Sequence, residues 1–260
     1  MEPLTVSLDP AWTAGLFLAM TRVAAFGLAT TILGTFMPIP ARMMLGAGLG
    51  LFFAEPFLGS LAPLALLGAG LVNAIVGAAL GWMATVMLQS FFVAGAWLDI
   101  QSGLFAAVMI DPTMGDRAGV YARFFNWIGF ALFSVLGGWI LLVRGLAFSF
   151  DVIALDGGLG FNPGALAETA LDLIGRVMVA GMELALPVAA ALFLVEVTLG
   201  MASRFSPQTN IFMLGLPLKL LVSLSLVSVT IMLFPEAMGG VLSISERAIG
   251  QTLEALLPAG

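Results

Sequence analysis

The amino-acid sequence predicts an all-α integral membrane protein with about six long apolar helices, some of them kinked or broken. Of its 260 residues, 61% are hydrophobic and only 9% are charged, whereas about a quarter of an ordinary globular chain is charged. The mean hydropathy is +1.12, and the run from Pro56 to Leu98 contains no charged residue at all. A soluble fold would have too few polar residues to cover its surface, so one membrane domain accounts for most of the chain.

The residue types that are absent exclude whole classes of chemistry. The chain has no His and no Cys, which removes disulfides, haem and zinc sites of the usual kind, and Ser-His or thiolate nucleophiles. We therefore expect no enzyme activity and no cofactor. The net charge is −6 and no cluster of basic residues occurs, so nucleic acid is not an expected partner.

Charged residues and prolines divide the chain into six candidate helices, since a span needs about 20 residues to cross the hydrocarbon layer. Residues 38–42, with Pro38 and Pro40, read as a turn too rich in proline for a helix. Glu2 and Asp9 stand where a signal peptide needs basic residues, so we expect the first apolar segment to belong to the mature protein. The six segments are Trp12 to Met37, Met43 to Leu58, Leu66 to Leu98, Phe124 to Val143, Leu173 to Ser203 and Ile211 to Phe234, and an amphipathic tail runs from Val241 to Leu257.

Small residues and prolines mark positions inside these segments. The pairs Gly46 with Gly50 and Gly77 with Gly81 have the GxxxG spacing that lets helix backbones approach closely. Such faces favour close packing either within this chain or against partner helices. Pro187 and Pro217 lie inside the fifth and sixth segments, which predicts that both helices are kinked.

Four ionisable residues, Arg22, Glu183, Glu196 and Lys219, lie within apolar segments. Each costs about 2.5 to 3.5 kcal/mol at the centre of a span unless it is paired or hydrated, so these side chains must face protein or water. Three interpretations remain open: structural ion pairing, such as Glu196 with Lys219; proton or ion coupling; and contact with partner subunits or a polar conduit.

The segment from Ile100 to Asp116 is too short to cross a bilayer as a helix, yet it is too apolar for a solvated loop. Gly103 can end the preceding helix, and flexible Met and bulky Phe suit a seal that must deform and re-form. We interpret the segment as a plug between helices; the alternative is an extension of the third helix. The plug residues are Gly103, Leu104, Phe105, Ala106, Val108, Met109, Ile110, Asp111 and Pro112.

Several motifs resemble those of the FliR, YscT and SpaR family, the flagellar export-gate protein and its injectisome relatives. The most specific is a turn between two apolar helices, Arg-x-x-Pro-Gln, followed by Gly-x-Pro-x-Lys. Its residues are Arg204, Pro207 and Gln208, then Gly215, Pro217 and Lys219. Weaker matches are Thr21-Arg22-Val23, Pro40-Ala41-Arg42, Gly103-Leu104 and Asp111-Pro112.

The resemblance implies a subunit of the type III secretion export gate, a closed pore through which unfolded substrates are exported. Its partners would be FliP-like and FliQ-like subunits, with FlhB-like and FlhA-like components beside them and lipid of the bacterial inner membrane around the flagellar basal body. In that family the assembled gate is displaced toward the periplasmic side, so the six segments need not all cross the bilayer and form helical hairpins in a larger assembly.

The resemblance also implies an internal organisation for this single export-gate domain, residues 1–260. Residues 1–150 would be a FliP-like part whose plug loop is about 100–116, and 173–260 a FliQ-like hairpin with the amphipathic tail. The family's plug corresponds to Gly103 to Thr113. The C-terminal motif favours the flagellar over the injectisome members. A proton-coupled secondary transporter that uses the four ionisable residues as a relay is the alternative of another class.

Overall fold

A computed structural model describes residues 9–105, 119–156, 163–205 and 211–256, and every regular element within these ranges is a helix. The prediction of an all-α fold is therefore confirmed. The helices are α1 Pro10–Ala29, α2 Thr31–Phe36, α3 Ile39–Gly50, α4 Pro63–Val86, α5 Gln89–Ser102, α6 Val120–Val135, α7 Gly138–Val152, α8 Pro163–Phe205, α9 Ile211–Thr230 and α10 Phe234–Leu256, with a 3-10 turn at Ile231–Leu233.

Four described stretches are long and apolar enough to cross a membrane, and the bent pair formed by α6 and α7 would make a fifth. They are Pro10–Ala29, Pro63–Val86, Gly164–Phe205 and Leu214–Glu254. The predicted membrane character is confirmed, with four or five candidate spans in place of six segments.

The N-terminal predictions were wrong at two points. The first helix was predicted to reach Met37, but α1 ends at Ala29 because Thr30 has extended backbone angles. Residues 38–42 were predicted to be a turn, yet α3 begins at Ile39, with Pro40 in its first turn. Proline is accepted there because the first N–H groups of a helix have no partner to lose.

Two other predicted helices are divided. The segment Leu66 to Leu98 is interrupted by a turn at Met87 and Leu88, which separates α4 from α5. The segment Phe124 to Val143 is interrupted at Leu136 and Gly137. Gly137 has φ 89°, a backbone conformation that residues with a Cβ rarely adopt.

The remaining predicted boundaries also moved. The second helix was predicted over Met43 to Leu58, but α3 ends at Gly50 and a turn follows. The fifth begins earlier than Leu173, at Pro163, and the sixth ends at Thr230 before the 3-10 turn. The predicted tail is the later part of α10, which begins at Phe234.

The chain divides into two compact units. The first comprises Met1–Val86, Trp139–Leu173 and Ile244–Gly260, and the second Met87–Gly138 and Ile174–Ser243. The predicted division into a FliP-like part and a FliQ-like hairpin concerns correspondence with other proteins, so it stays a prediction.

In the first unit, α1 packs closely against α3 and α4 through glycines. A Cβ at Gly46 would lie 2.8 Å from the Ala24 Cα, and a Cβ at Gly77 or Gly81 would overlap a backbone carbonyl of α1. Both GxxxG pairs therefore serve packing within this chain. A small core of Leu18, Ala19, Phe57, Ala69 and Leu155 lies beside these contacts.

In the second unit, α5 packs against α6, and aromatic rings fill the space beside them. The Phe234 ring meets Phe91 and Phe125 edge-on, with ring centroids 5.4 and 4.8 Å apart. A Cβ at Gly95 would overlap the backbone of Tyr121. This close packing brings the end of α5 to the beginning of α6.

Candidate functional site

Arg22 is completely buried in the first unit and lies in a candidate span. Its Nε donates to Asn73 Oδ1 at 2.8 Å, and its two terminal nitrogens donate to the carbonyl oxygens of Ser149 at 2.8 Å and Ala154 at 3.4 Å. The guanidinium also lies 4.5 Å from the centre of the Phe150 ring. The fork of donors therefore joins α1 to α4 and to the end of α7.

Asn73 completes this polar cluster. Its Nδ2 donates to the carbonyl oxygens of Ala69 at 2.8 Å and Leu155 at 3.0 Å, while its Oδ1 accepts from Arg22. The chain that follows α7 is thus held by two buried side chains from different helices. Because a buried polar group without a partner is costly, this satisfied network stabilises one arrangement of the unit.

The predicted plug begins at a real helix end. Gly103 ends α5 in the left-handed conformation, with φ 85° and ψ 0°, so the alternative that the third helix simply continues is wrong at this point. Leu104 is partly buried and Phe105 is exposed. Six predicted plug residues lie outside the described part of the chain: Ala106, Val108, Met109, Ile110, Asp111 and Pro112.

Asp99 holds together the two ends of the segment that contains the predicted plug. Its carboxylate is completely buried and accepts the backbone N–H groups of Tyr121 at 2.9 Å and Ala122 at 2.8 Å. Gly119 occupies the N-cap position of α6 and has no side chain that could accept these N–H groups. A carboxylate from α5 therefore caps the first turn of α6.

Burial raises the pKa of Asp99, which lies outside the candidate spans. The N–H groups of Ala122, Tyr121 and Val120, and the charge of Arg123, act in the opposite direction. The sequence interpretation used Asp99 only as a boundary of the apolar run and missed this role. The sequence does contain a signal for this role, because Asp99 is a single acidic residue at the end of the uncharged run, one helical turn before Gly103.

Glu196 and Lys219 form the predicted ion pair, which joins α8 to α9. The Lys219 side chain is 18% exposed and that of Glu196 is 44% exposed in the isolated chain. Glu183 is exposed on α8. Lys219 is paired with Glu196, and Arg22 binds Asn73 and backbone carbonyls, so the geometry favours structural roles over a proton relay for these three.

The described family-motif residues lie in or beside helices α3, α8 and α9. Arg42 donates from Nε to the Met37 carbonyl at 2.9 Å, across the turn that precedes α3. Arg204 is exposed in the last turn of α8, and Pro207 and Gln208 lie outside the described residues. Gly215 is buried, and Pro217 lies inside α9 as Pro187 lies inside α8. How far these two prolines bend their helices stays a prediction.

The apolar spans, with buried charges held by backbone groups, define a polytopic helical membrane protein. More particularly, the chain belongs to the family described as bacterial export proteins, family 1, whose model matches residues 13–244. The resemblance to the FliR, YscT and SpaR family is thereby confirmed.

Curated relatives carry two names. The chain is 32% identical to the flagellar biosynthetic protein FliR of Bacillus subtilis over 152 residues, 58% of this chain and 59% of that protein. It is 27% identical to FliR of Aquifex aeolicus over 230 residues, 83% of this chain and 87% of that protein. It is 32% identical to the surface presentation of antigens protein SpaR of Salmonella typhimurium over 201 residues, 76% and 71% of the two chains. The matched stretches span 59% of the Bacillus subtilis protein and 61% of the FliR of Pectobacterium carotovorum.

Proposed function

We propose that this chain is a subunit of the type III secretion export gate of the bacterial flagellum. It forms, with FliP-like and FliQ-like subunits and beside FlhB-like and FlhA-like components, the closed entry pore for unfolded export substrates. The observation that carries the proposal is the family match over residues 13–244, together with FliR relatives from several bacteria. No catalytic role is part of the proposal.

The gate lies in the inner membrane and is displaced toward its periplasmic side. Residues 1–150 form the FliP-like part and 173–260 the FliQ-like hairpin. In support, α8 and α9 are two long apolar helices that follow one another in the chain and are joined by the Glu196–Lys219 pair. A partly exposed ion pair on apolar helices is costly in lipid, so protein or water is expected to cover it.

Exposed apolar side chains support an assembly embedded in lipid. On α1 the Phe17 side chain is 63% exposed, on α3 Met44 is 76% exposed, and on α9 Leu221 is 66% exposed. Lipid tails and the apolar faces of partner helices are the surroundings that such side chains fit. We therefore expect the chain to be unstable alone and stable with its FliP-like and FliQ-like partners.

A second candidate function is the homologous subunit of an injectisome, which the SpaR match favours. Complementation distinguishes the two. The gene is expressed in one strain that lacks its flagellar FliR and in another that lacks its injectisome SpaR, and motility and effector secretion are measured. Restored motility supports the flagellar gate, and restored effector secretion alone supports the injectisome. Failure of both, with the chain assembled in the membrane, contradicts the export-gate proposal.

The segment from Gly103 to Thr113 is the plug of this pore. In support, α5 ends at Gly103, α6 begins after Gly119, and Asp99 holds these two ends together. The chain therefore leaves and returns at one place, as a loop inserted between helices does. Phe105, Val108, Met109 and Ile110 would seal the pore by apolar contact, which excludes water and ions.

The test is a deletion of residues 103–110. We expect the complex to be recovered with its partners and the cells to become permeable to ions and small solutes, because the hydrophobic constriction is lost. Solute uptake and the amount of purified complex are measured in the same cells. An intact complex that does not leak would contradict the plug, and failed assembly without leakage would favour a packed helix.

A further inference from the structure

Glu183 is a single charge on an apolar stretch of α8. Its side chain is exposed and lies in the candidate span Gly164–Phe205. It is the only charged residue between Arg176 and Glu196. In the described part of the chain the Glu183 carboxylate makes no hydrogen bond or ion pair. A carboxylate in such a segment is costly unless it is paired or hydrated, so Glu183 needs surroundings that the isolated chain does not supply.

The cations of α8 and α9 do not reach Glu183. Side chains on one helix meet when they are three or four residues apart. Arg176 lies about 10 Å away along the axis of α8, and Arg204 about 30 Å away. Lys219 of α9 is bound to Glu196.

Pro187 leaves a second acceptor at the same position. A proline has no N–H group, so the backbone carbonyl of Glu183, four residues earlier, lacks the donor that a regular helix supplies. The carboxylate and this carbonyl both need donors from outside α8. Lysine and arginine side chains carry several N–H donors and no acceptor, which fits such a pair of acceptors.

Glu183 also lies in a row of exposed apolar side chains, which belongs to the second unit. The positions follow one another at separations of three and four residues, so they share one face of α8. We call this face the Glu183 stripe; it consists of Val179, Glu183, Leu186, Ala190, Phe193 and Val197.

The composition of the Glu183 stripe indicates what covers it. Its four larger apolar side chains are 44% to 63% exposed. Lipid tails match these side chains but not the carboxylate, and a water-filled conduit matches the carboxylate but not its neighbours. An apolar helix that carries one cation matches both. The three-and-four spacing is that of helices packed along a seam, in which a single polar residue fixes the register and the partner.

We propose that the Glu183 stripe binds an apolar helix of another subunit, and that one lysine or arginine of this helix pairs with Glu183. The apolar side chains supply the contact area, and the ion pair selects the partner and its register. The inference rests on the proposed function, because the partner is sought among the subunits of the gate.

The experiment measures how much complex is recovered when the full chain is expressed with its FliP-like and FliQ-like subunits. Recovery is divided by the amount of the chain in the membrane. We expect about tenfold less complex with Glu183→Gln, which leaves the partner's cation unpaired, and about a hundredfold less with Glu183→Lys, which sets two cations against each other. Glu236→Gln, an exposed carboxyl in the same unit, is the control and should leave recovery unchanged.

A compensating change tests the pairing directly. In the Glu183→Lys background, each lysine and arginine in the apolar helices of the other subunits is changed to glutamate in turn. We expect one of these changes to restore recovery at least about tenfold, because it re-forms the pair with the charges exchanged. Failure of every such change overturns the pairing.

A steric variant keeps the test independent of charge. Ala190→Trp places a bulky side chain in the Glu183 stripe and should lower recovery, since a packed helix has no room for it. Met178→Trp, exposed on another face of α8, is the control. If Glu183→Lys does not accumulate in the membrane, Ala190→Trp decides, and unchanged recovery overturns the docking.

The remaining outcomes separate this inference from the proposed function. Equal or higher recovery with Glu183→Gln overturns the inference and assigns the Glu183 stripe to lipid or water. The export-gate proposal then still stands, because the complex has formed. A wild-type chain that reaches the membrane but is not recovered with the other subunits contradicts both.

Discussion

Arg22 and Asp99 are the two completely buried charged side chains in the described part of the chain, and each binds backbone groups at an end of another helix. Arg22 donates to the carbonyl of Ser149 in the last turn of α7 and to Ala154 just beyond it. Asp99 accepts N–H groups from the first turn of α6. A helix carries partial negative charge at its end and partial positive charge at its beginning, so each side chain has the favourable sign.

The two sites differ in how many parts of the chain they join. Arg22 lies in α1 and contacts α4 through Asn73 as well as the end of α7. Asp99 joins only α5 and α6 directly. A guanidinium has five donors in a planar fork, whereas a carboxylate has two oxygens and was matched here by two adjacent N–H groups. Loss of Arg22 should therefore damage more contacts than loss of Asp99.

The largest expected effect is that of Arg22→Ala. It leaves Asn73 Oδ1 without its donor, whereas the Ser149 carbonyl still accepts the Ile153 N–H. A buried unsatisfied group costs about 1 to 3 kcal/mol and the loss of a completely buried side chain adds to this cost, so the total should be about 3 kcal/mol. Arg22→Lys keeps the charge without the fork and should be intermediate. The measurement is the recovery and thermal stability of the purified complex. Arg144→Ala, on an exposed part of α7, is the control, and equal stability of the two alanine variants would contradict the central role of Arg22.

A smaller effect is expected from Gly119→Ala, and it should depend on Asp99. Alone, the added methyl group overlaps the carboxylate and should cost about 1 to 3 kcal/mol. In an Asp99→Ala background the overlap with the carboxylate is gone and only the Cβ of residue 99, at 2.7 Å, still meets the methyl group. The added loss from Gly119→Ala should therefore be smaller there than in the wild type. Thermal stability of the complex is compared over the four combinations. Gly48→Ala, where a Cβ meets nothing within 4 Å, is the control, and strictly additive losses would be evidence against the contact between Asp99 and Gly119.

The smallest effect is expected at the Glu196–Lys219 pair, where the two side chains bind each other and not backbone groups. Glu196→Gln or Lys219→Gln alone leaves one charge unpaired on an apolar face, which should cost about 1 kcal/mol because the pair is partly exposed. The double variant should be milder than either single one. The measurement is the amount of complex that is recovered with FliP-like and FliQ-like partners. Equal losses in single and double variants would show that the pair is not energetically coupled.

Sequence patterns predicted correctly those features that depend on neighbouring residues. Long apolar runs between charges predicted the helices and the membrane class, and Gly103 was recognised as a helix end. The ion pair of Glu196 with Lys219 was also predicted, since two isolated charges in consecutive apolar helices have few other partners. The breaks at Met87 and Gly137 were missed, because apolar residues continue through both.

The sequence by itself determined that this chain is helical, apolar and poor in charge, because hydropathy and helix propensity are properties of each residue and its neighbours. Only the tertiary structure decided what the buried charges do. Asp99 caps a helix whose N–H groups lie 22 and 23 residues further along the chain, and Arg22 reaches Ser149 at a separation of 127 residues. A helix end has unpaired backbone groups in any sequence, but the side chain that binds them is chosen by packing, which no local pattern records.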